Sequence, residues 1–366
     1  MNSNDFLSIS FIRCLIQHRF STRQLAALVL VSLFSPLVKA ELSPYASLTV
    51  DSSQVLSGGL KRDLTNRLLF DGGLSYQANK HSVFISYQAQ RGQHGSDSVG
   101  DIQAYSNIDE DDFSRWYEVF YQYDADIGYL RVGKTDANGE FAVNEHGANF
   151  INSSMGFSPT IVGFPTYPSP ALSVVAGLDI HAKVQVATGI YAAADYNDFA
   201  EQFYVAELRY QINEHSLLKL GWWRDTNTYP TAFDEQQDAT TGYYALFQNS
   251  LPDNHWFGAQ SSHWYSQLGY ADQDISEINW HFGTGIEFVS PFGRNEHNMG
   301  LGLSYVKLSP LLTDNATSET AIEAFYSWPL HSNLLLKPDL QYFISPSGNT
   351  NISNALVFTL RLEISY

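Results

Sequence analysis

The chain has 366 residues, 38 acidic and 20 basic, for a formal charge of −18; 44% are hydrophobic and 14% aromatic. So acidic a chain, with no basic stripe, excludes a nucleic-acid partner bound through its phosphates. Its single cysteine, Cys14, excludes an internal disulfide framework and thiolate metal sites.

Residues 1–40 read as a secretory signal peptide. Arg13, Arg19 and Arg23 form a basic region, Leu25–Phe34 is an apolar run, and Val38-Lys39-Ala40 offers a small-x-small cleavage site before Glu41. That run falls short of the roughly 20 apolar residues a spanning helix needs, and no comparable run follows. Cleavage leaves 41–366 as one domain with 16 basic and 37 acidic residues and no cysteine.

Sixteen stretches then alternate apolar and polar residues with the period of two that marks a half-buried strand. The first eight are Ala46–Ser52, Arg67–Gln77, Ser82–Arg91, Arg115–Asp124, Ile127–Gly133, Leu172–Ile180, Lys183–Tyr191 and Phe203–Ile212. The second eight are Ser216–Arg224, Thr241–Gln248, His263–Ala271, Ile278–Val289, Asn298–Lys307, Thr320–Trp328, Leu334–Phe343 and Ala355–Tyr366. Most have the roughly 9–11 residues that a tilted strand needs to cross the hydrocarbon layer. The last alternates without a break and stops on an aromatic. Together they predict an all-β fold, a transmembrane antiparallel β-barrel of about sixteen strands in a bacterial outer membrane.

The connections carry an independent signal. Even-numbered links such as Ala78–His81, Asp124–Asp126 and Asn213–His215 are short. Odd-numbered ones are mostly longer: Gln54–Asn66, Gly92–Ser114, Lys134–Ala171, Ala192–Gln202 and Asp225–Thr240. Short turns on one rim and long loops on the other are the barrel pattern, and they put both termini on the periplasmic rim.

One face of these strands is apolar, with Leu68, Phe70, Leu74 and Tyr76, Val83, Ile85 and Tyr87, Tyr204–Tyr210 at alternate positions, and Trp280, Phe282, Ile286 and Phe288. The opposite face carries Arg67, Asp71, Glu118, Arg131, Lys183, Glu207, Arg209, Lys219, Glu287, Glu323, Lys337, Asp339, Arg361 and Glu363. Charges of both signs imply water inside, and a barrel this wide is not filled by its own wall side chains. Pro338, inside the fifteenth strand, predicts a bulge or distortion.

The third long loop, Lys134–Ala171, alternates glycines and prolines among aromatics. Its apolar residues, Phe141, Phe150, Ile151, Met155, Phe157, Ile161, Phe164 and Tyr167 among them, are too many for water, so we expect it to fold inward and narrow the pore.

Here a resemblance becomes specific. Arg131-Val132-Gly133-Lys134-Thr135-Asp136-Ala137-Asn138, followed by Glu140-Phe141-Ala142, resembles the RxGKxDANxxFA block of the carbohydrate-selective porins, the OprB family. Asn149–Phe157 is similar to that family's FxNSSFG segment and Tyr167–Ala171 to its proline-rich exit. Pro338-Asp339-Leu340-Gln341-Tyr342 is similar to its PDxQY strand, and Leu360-Arg361-Leu362 to its closing strand. The likeness is colinear from about Arg115 to Tyr366 and implies a sixteen-stranded porin that passes monosaccharides or small oligosaccharides.

Candidate pore-lining and sugar-binding residues are Arg131, Lys134, Asp136, Asn138, Glu140 and Glu145 near the expected constriction. On the wall they are Glu118, Glu207, Arg209, Asp339, Gln341 and Arg361. Charged and amide groups bond sugar hydroxyls well, although the same groups also serve simply to keep a pore wet. Sugars, outer-membrane lipid and lipopolysaccharide are the expected partners, with a homotrimer as the assembly common among porins of this size. Asp109-Glu110-Asp111-Asp112 lacks a calcium-loop spacing and reads as a solvated acidic loop. The eleven histidines show no HExxH, so no cofactor or metal is expected. Two rivals stand beside a sugar channel. A general or cation-preferring porin would suit the net negative charge. An outer-membrane enzyme would need a convergent nucleophile and base, for which Ser261 or Ser262 with His263 are the candidates. We expect a channel and no enzyme.

Overall fold

A sheet whose outer face meets lipid cannot leave an edge of unpaired N–H and C=O groups, because each would cost several kcal/mol. The computed structural model, which describes residues 40–233, 235–252, 256–313 and 317–366, resolves this by closure. Among the described residues sixteen strands form one closed barrel, in which each is bonded to its sequence neighbours and the first to the last. The expected signal peptide lies outside the described residues, except Ala40.

The strands are β1 Ala40–Ser57, β2 Leu64–Ala78, β3 His81–Gly92, β4 Phe113–Ala125, β5 Gly128–Thr135, β6 Ala171–His181, β7 Val184–Ala192 and β8 Gln202–Asn213. They continue as β9 Ser216–Pro230, β10 Gln236–Leu251, β11 Ser261–Ala271, β12 Ile278–Val289, β13 Asn298–Leu308, β14 Ser318–His331, β15 Leu334–Ile344 and β16 Ala355–Ser365. Every expected strand is present, and none is added among the described residues.

The largest departures are in two long links. β9 and β10 pair well beyond the expected ends, through Thr228↔Asp238 to Pro230↔Gln236, so the Asp225–Thr240 link shrinks to 231–235. The first link shrinks likewise to 58–63, because β1 runs to Ser57. Between β9 and β10 backbone pairing continues where polar residues predominate, and in β1 it continues through Val55 and Leu56, consecutive apolar residues that break the alternation; in both places the sequence signal for a strand has already stopped.

Side chains sort by parity. Phe70, Leu74, Tyr76, Leu208, Tyr210, Trp280 and Phe282 stand exposed on the outer face, whereas Asp51, Arg67, Glu207, Lys219, Glu323, Lys337 and Arg361 are buried on the inner one. Lys183 departs from expectation: it sits in the two-residue turn between β6 and β7, its amine donating to Ile212 O. At Pro338 the register with β16 runs through unbroken. With β14 the ladder omits the pairs beside Pro338 and Lys337 and resumes in the same register, so the proline costs local bonds without a bulge.

A bulge does occur in β4, where Ile85↔Val119 is followed by Tyr87↔Trp116. The extra residue turns both Tyr117 and Glu118 inward and re-aims Trp116, half-exposed, at the outer face.

The seam is closed by chemistry as well as by register. Asp51 of β1 lies opposite Arg361 of β16, and the guanidinium donates to its two carboxylate oxygens at 2.7 and 2.8 Å. Both side chains are at most 5% exposed. Arg361→Ala leaves a buried carboxylate without its partner, and we expect it to destabilise the barrel by about 3–5 kcal/mol. The heat-induced loss of the compact electrophoretic band should move to lower temperature, whereas Lys80→Ala, at the exposed Lys80–Asp126 pair, should leave it in place.

Candidate functional site

The lumen is occupied from above by two loops. Loop 3 (136–170) leaves β5 and crosses the barrel to the far wall. It is rooted by the β4 bulge: Tyr117 donates its hydroxyl hydrogen to the Asp136 carboxylate, and the Asp136 N–H donates to Glu118 Oε1 at 2.9 Å. Asp136 Oδ1 also accepts from Asn138 N at 2.8 Å, capping a short helical turn. Farther along, Ala142 N donates to Glu207 Oε2 at 2.9 Å, and Ile151 N and Asn152 N donate to the two Glu323 oxygens at 2.6 and 3.0 Å. Asn149 reaches Glu287 at 2.6 Å, and the Lys337 amine donates to Asn149 O at 3.1 Å. Phe141 and Phe150, less than 2% exposed, fill wall hollows beside Gly189 and Gly302.

Loop 2 (93–112) also folds inward, which the sequence did not lead us to expect. Ile102 N donates to Glu319 Oε2 at 3.0 Å, Gln103 Nε2 to Glu319 Oε1 at 3.0 Å, and Ser106 to Asp51 at 2.7 Å. Asp109, expected in solvent, is paired with Arg67, each side chain 1% exposed. Asp111 and Asp112 remain exposed. The loops are also bonded to each other, Asn107 N to Ile151 O at 2.7 Å and Ser153 N to Ala104 O at 3.0 Å. The acidic run misled because charge alone does not reveal a buried partner 42 residues earlier on the neighbouring wall.

A pattern unites these contacts. Glu118, Glu207, Glu319 and Glu323 each point inward from the wall and accept backbone N–H groups of a loop. Such charge-assisted bonds are about twice as strong as neutral ones, and they satisfy loop donors that would otherwise be buried without partners.

The expected site residues therefore separate. Arg131, Glu140, Glu207 and Arg209 come together: Arg209 bonds Glu207 at 2.6 Å and Glu140 at 2.8 Å, and Arg131 approaches Glu140 at 3.4 Å. Both arginine side chains keep some exposure, 16% and 17%. Glu145 pairs with Lys219 at 2.9 Å and is half-exposed. Glu118, Asp136 and Asn138 hold loop 3, Asn138 Nδ2 donating to Phe141 O at 3.1 Å. Arg361 lies under loop 2. Asp339 and Gln341 lie under both loops, Gln341 bonding Tyr105 O at 2.7 Å and Asn152 at 3.2 Å. Lys134 is misplaced by the expectation. Its parity matches Leu130 and Val132 on the outer face, opposite Val119, and its amine donates to Trp116 O at 3.1 Å. Asp51, Glu319 and Gln267, whose amide donates to Ser154 O at 2.6 Å, were not anticipated, and inward alternation along their strands was the only sequence signal for them; Tyr117 had none, because the β4 bulge alone turns it inward.

Between the loops lies a cavity of about 540 Å³. All its lining residues come from loops 2 and 3; they include Asn107, Asn138, Asn144 and Asn152 and the half-buried rings of Phe157, Phe164 and Tyr167. Elsewhere in the lumen the cations named above are each matched by an acid: Arg67 by Asp109, Lys219 by Glu145, Lys337 by Glu363 and Arg361 by Asp51. Paired charges keep a surface wet and rich in hydrogen bonds while cancelling most of the field along it.

A sixteen-stranded barrel with its lumen narrowed by inward loops defines a porin. A family model described as carbohydrate-selective porin, OprB family, matches residues 80–366. The chain belongs to that family and is an outer-membrane β-barrel channel for sugars. Among solved structures it is similar to the high-pH structure of Pseudomonas putida OprB, at 14% identity over 89% of this chain and 94% of that one, with a TM-score of 0.77. It is also similar to the low-pH structure of that protein, at 11% identity over 89% and 92% of the two chains, with a TM-score of 0.58. The outer membrane channel DcaP of Acinetobacter baumannii matches at 10% identity over 89% and 97%, with a TM-score of 0.59. At these identities the likeness is one of fold. No curated protein matches this chain.

Two loop groups titrate in opposite senses. Burial, with the Glu319 charge beside it, pushes the Asp101 carboxyl of loop 2 up to about 8. Its folded value lies above the usual 3.8, so it favours loop docking at low pH, and that contribution is lost as pH rises through about 8. Burial, with His263 adjacent, brings His146 of loop 3 down to about 4. Its folded value lies below 6.5, so its contribution is present above 6.5 and is lost as pH falls through about 4. Open-channel noise should therefore rise at both extremes. Asp101→Asn should flatten the alkaline arm and His146→Gln the acid arm; unchanged profiles would rule these groups out. Separately, Glu323→Ala removes the acceptor of two loop amides, and larger, noisier single-channel steps are expected in a planar bilayer.

Proposed function

We propose that this channel carries small neutral sugars by passive diffusion and that its narrow part is built by loops 2 and 3 together. The observation that carries this reading is the loop-lined cavity, whose volume falls within the roughly 300–1,000 Å³ of small-ligand sites. Asn107 and Asn138, the carboxamides of its lining that keep exposure, can bond hydroxyl groups, and its rings offer apolar faces to C–H groups. The Arg131–Glu140–Arg209–Glu207 cluster adds charge-assisted donors and acceptors with no net charge, which suits an uncharged solute better than an ion. In this reading residues 1–40 are an export leader, the apolar outer wall faces outer-membrane lipid and lipopolysaccharide, and the short turns face the periplasm. The assembly we propose is a homotrimer, as is common among porins of this size.

Single-channel conductance with sugars titrated in tests the proposal. Saturable block by a monosaccharide or small oligosaccharide is expected, weakened about tenfold by Arg131→Ala or Glu140→Ala, the loss of one charge-assisted bond. Steady current unaffected by any sugar would make this a general porin.

A further inference from the structure

The half of the lumen nearest the short turns carries something a water-filled wall does not require. Tyr45 of β1, Phe84 of β3, Phe120 of β4 and Tyr129 of β5 all point inward by parity, and none of them is covered well enough to be buried. Tyr45 and Phe84 are stacked, centroids 6.1 Å apart and planes 6° from parallel. Phe84 and Phe120 follow at 5.2 Å. The series then meets Arg131, whose guanidinium carbon lies 4.8 Å from the Phe120 ring centre and 5.6 Å from that of Tyr129. Tyr129 in turn donates its hydroxyl hydrogen to Glu140, a member of the charged cluster.

Glycines set the pose of the end rings. A Cβ at Gly73 would stand 2.5 Å from Tyr45 Cε1, and one at Gly177 would stand 2.2 Å from Tyr129 Cε1. Both rings therefore pack an edge against bare backbone, at positions a side chain would have to displace. Polar groups border the rings: Asp71 Oδ1 accepts from the Tyr45 hydroxyl at 3.2 Å, and Gln122 Oε1 accepts from Arg131 Nε at 2.8 Å. Flat apolar faces bordered by hydrogen-bonding groups match the chemistry of a pyranose, which has C–H groups on its faces and hydroxyls around its rim.

We propose that Tyr45, Phe84, Phe120 and Tyr129 form a stacking shelf for sugar rings at the short-turn mouth, which passes the solute to or from the Arg131–Glu140 cluster. The inference rests on the sugar-channel reading and adds to it a second recognition station away from the loop-lined cavity.

The test is current block by D-glucose and by maltose, added separately to each side of a bilayer holding the full barrel. Phe84→Leu and Phe120→Leu keep most of the apolar bulk and remove the ring. Each is expected to weaken block by about three- to tenfold, the worth of one aromatic contact, with the larger loss for sugar added at the short-turn side. Phe120→Trp should retain block. Tyr76→Leu, a ring on the outer face, should behave as the unaltered chain, and current in sugar-free salt reports that each variant is folded and inserted. Block by the two leucine variants equal to that of the unaltered chain would overturn the shelf and leave the rings as wall packing. Absence of sugar block in the unaltered chain as well would overturn it through its premise, and that result is distinguishable because every variant would then be silent alike.

Discussion

Closure is the constraint on which everything else here depends. In hydrocarbon an open strand edge has no solvent to bond, so the first and last strands must meet. They do so with β1 and β16 in register from Ser47↔Ser365, and the inward pair Asp51–Arg361 lies in the middle of that seam. The pair is held from the lumen as well. Ser106 and Asn107 of loop 2 bond the same carboxylate and guanidinium, so loop docking and barrel closure share one buried network.

The loops give the barrel its function because an empty sixteen-stranded cylinder would discriminate little. Their placement is enforced by wall carboxylates that receive backbone N–H groups, with aromatic side chains set into hollows left by wall glycines. Glu118 and Glu207 thus act on the pore mainly through the loop they hold. Glu207 takes part in both roles, since it also orients Arg209 at 2.6 Å. The result is a lumen crossed by loops, in which the inward cations are each paired with an acid while several acids are bonded to loop amides instead.

The architecture was largely legible in the sequence. Alternation showed all sixteen strands, and parity sorted lipid-facing from lumen-facing residues in nearly every case. The inward folding of loop 3 followed from its content, since Phe141, Phe150 and Met155 have no stable place in water. The errors share a cause. The ribbon of Thr228–Pro230 with Gln236–Asp238 remains paired where polar residues predominate, so it gave no alternating signal. Lys134, one residue before a strand end, was grouped with its motif neighbours instead of by parity. Asp109 was judged by the charge of its own segment, and Arg67 was out of view.

What the sequence determined by itself is whatever depends on local periodicity and composition: the strands, their faces, the barrel and the loop that cannot stay outside. Tertiary structure alone decided which wall residue meets which loop atom. Those meetings join positions as far apart as Ile102 and Glu319 or Ile151 and Glu323. They depend on strand tilt, on one bulge in β4 and on the path of two loops across the lumen. No local pattern encodes these, because a strand's period fixes the direction of a side chain and leaves the identity of its partner open.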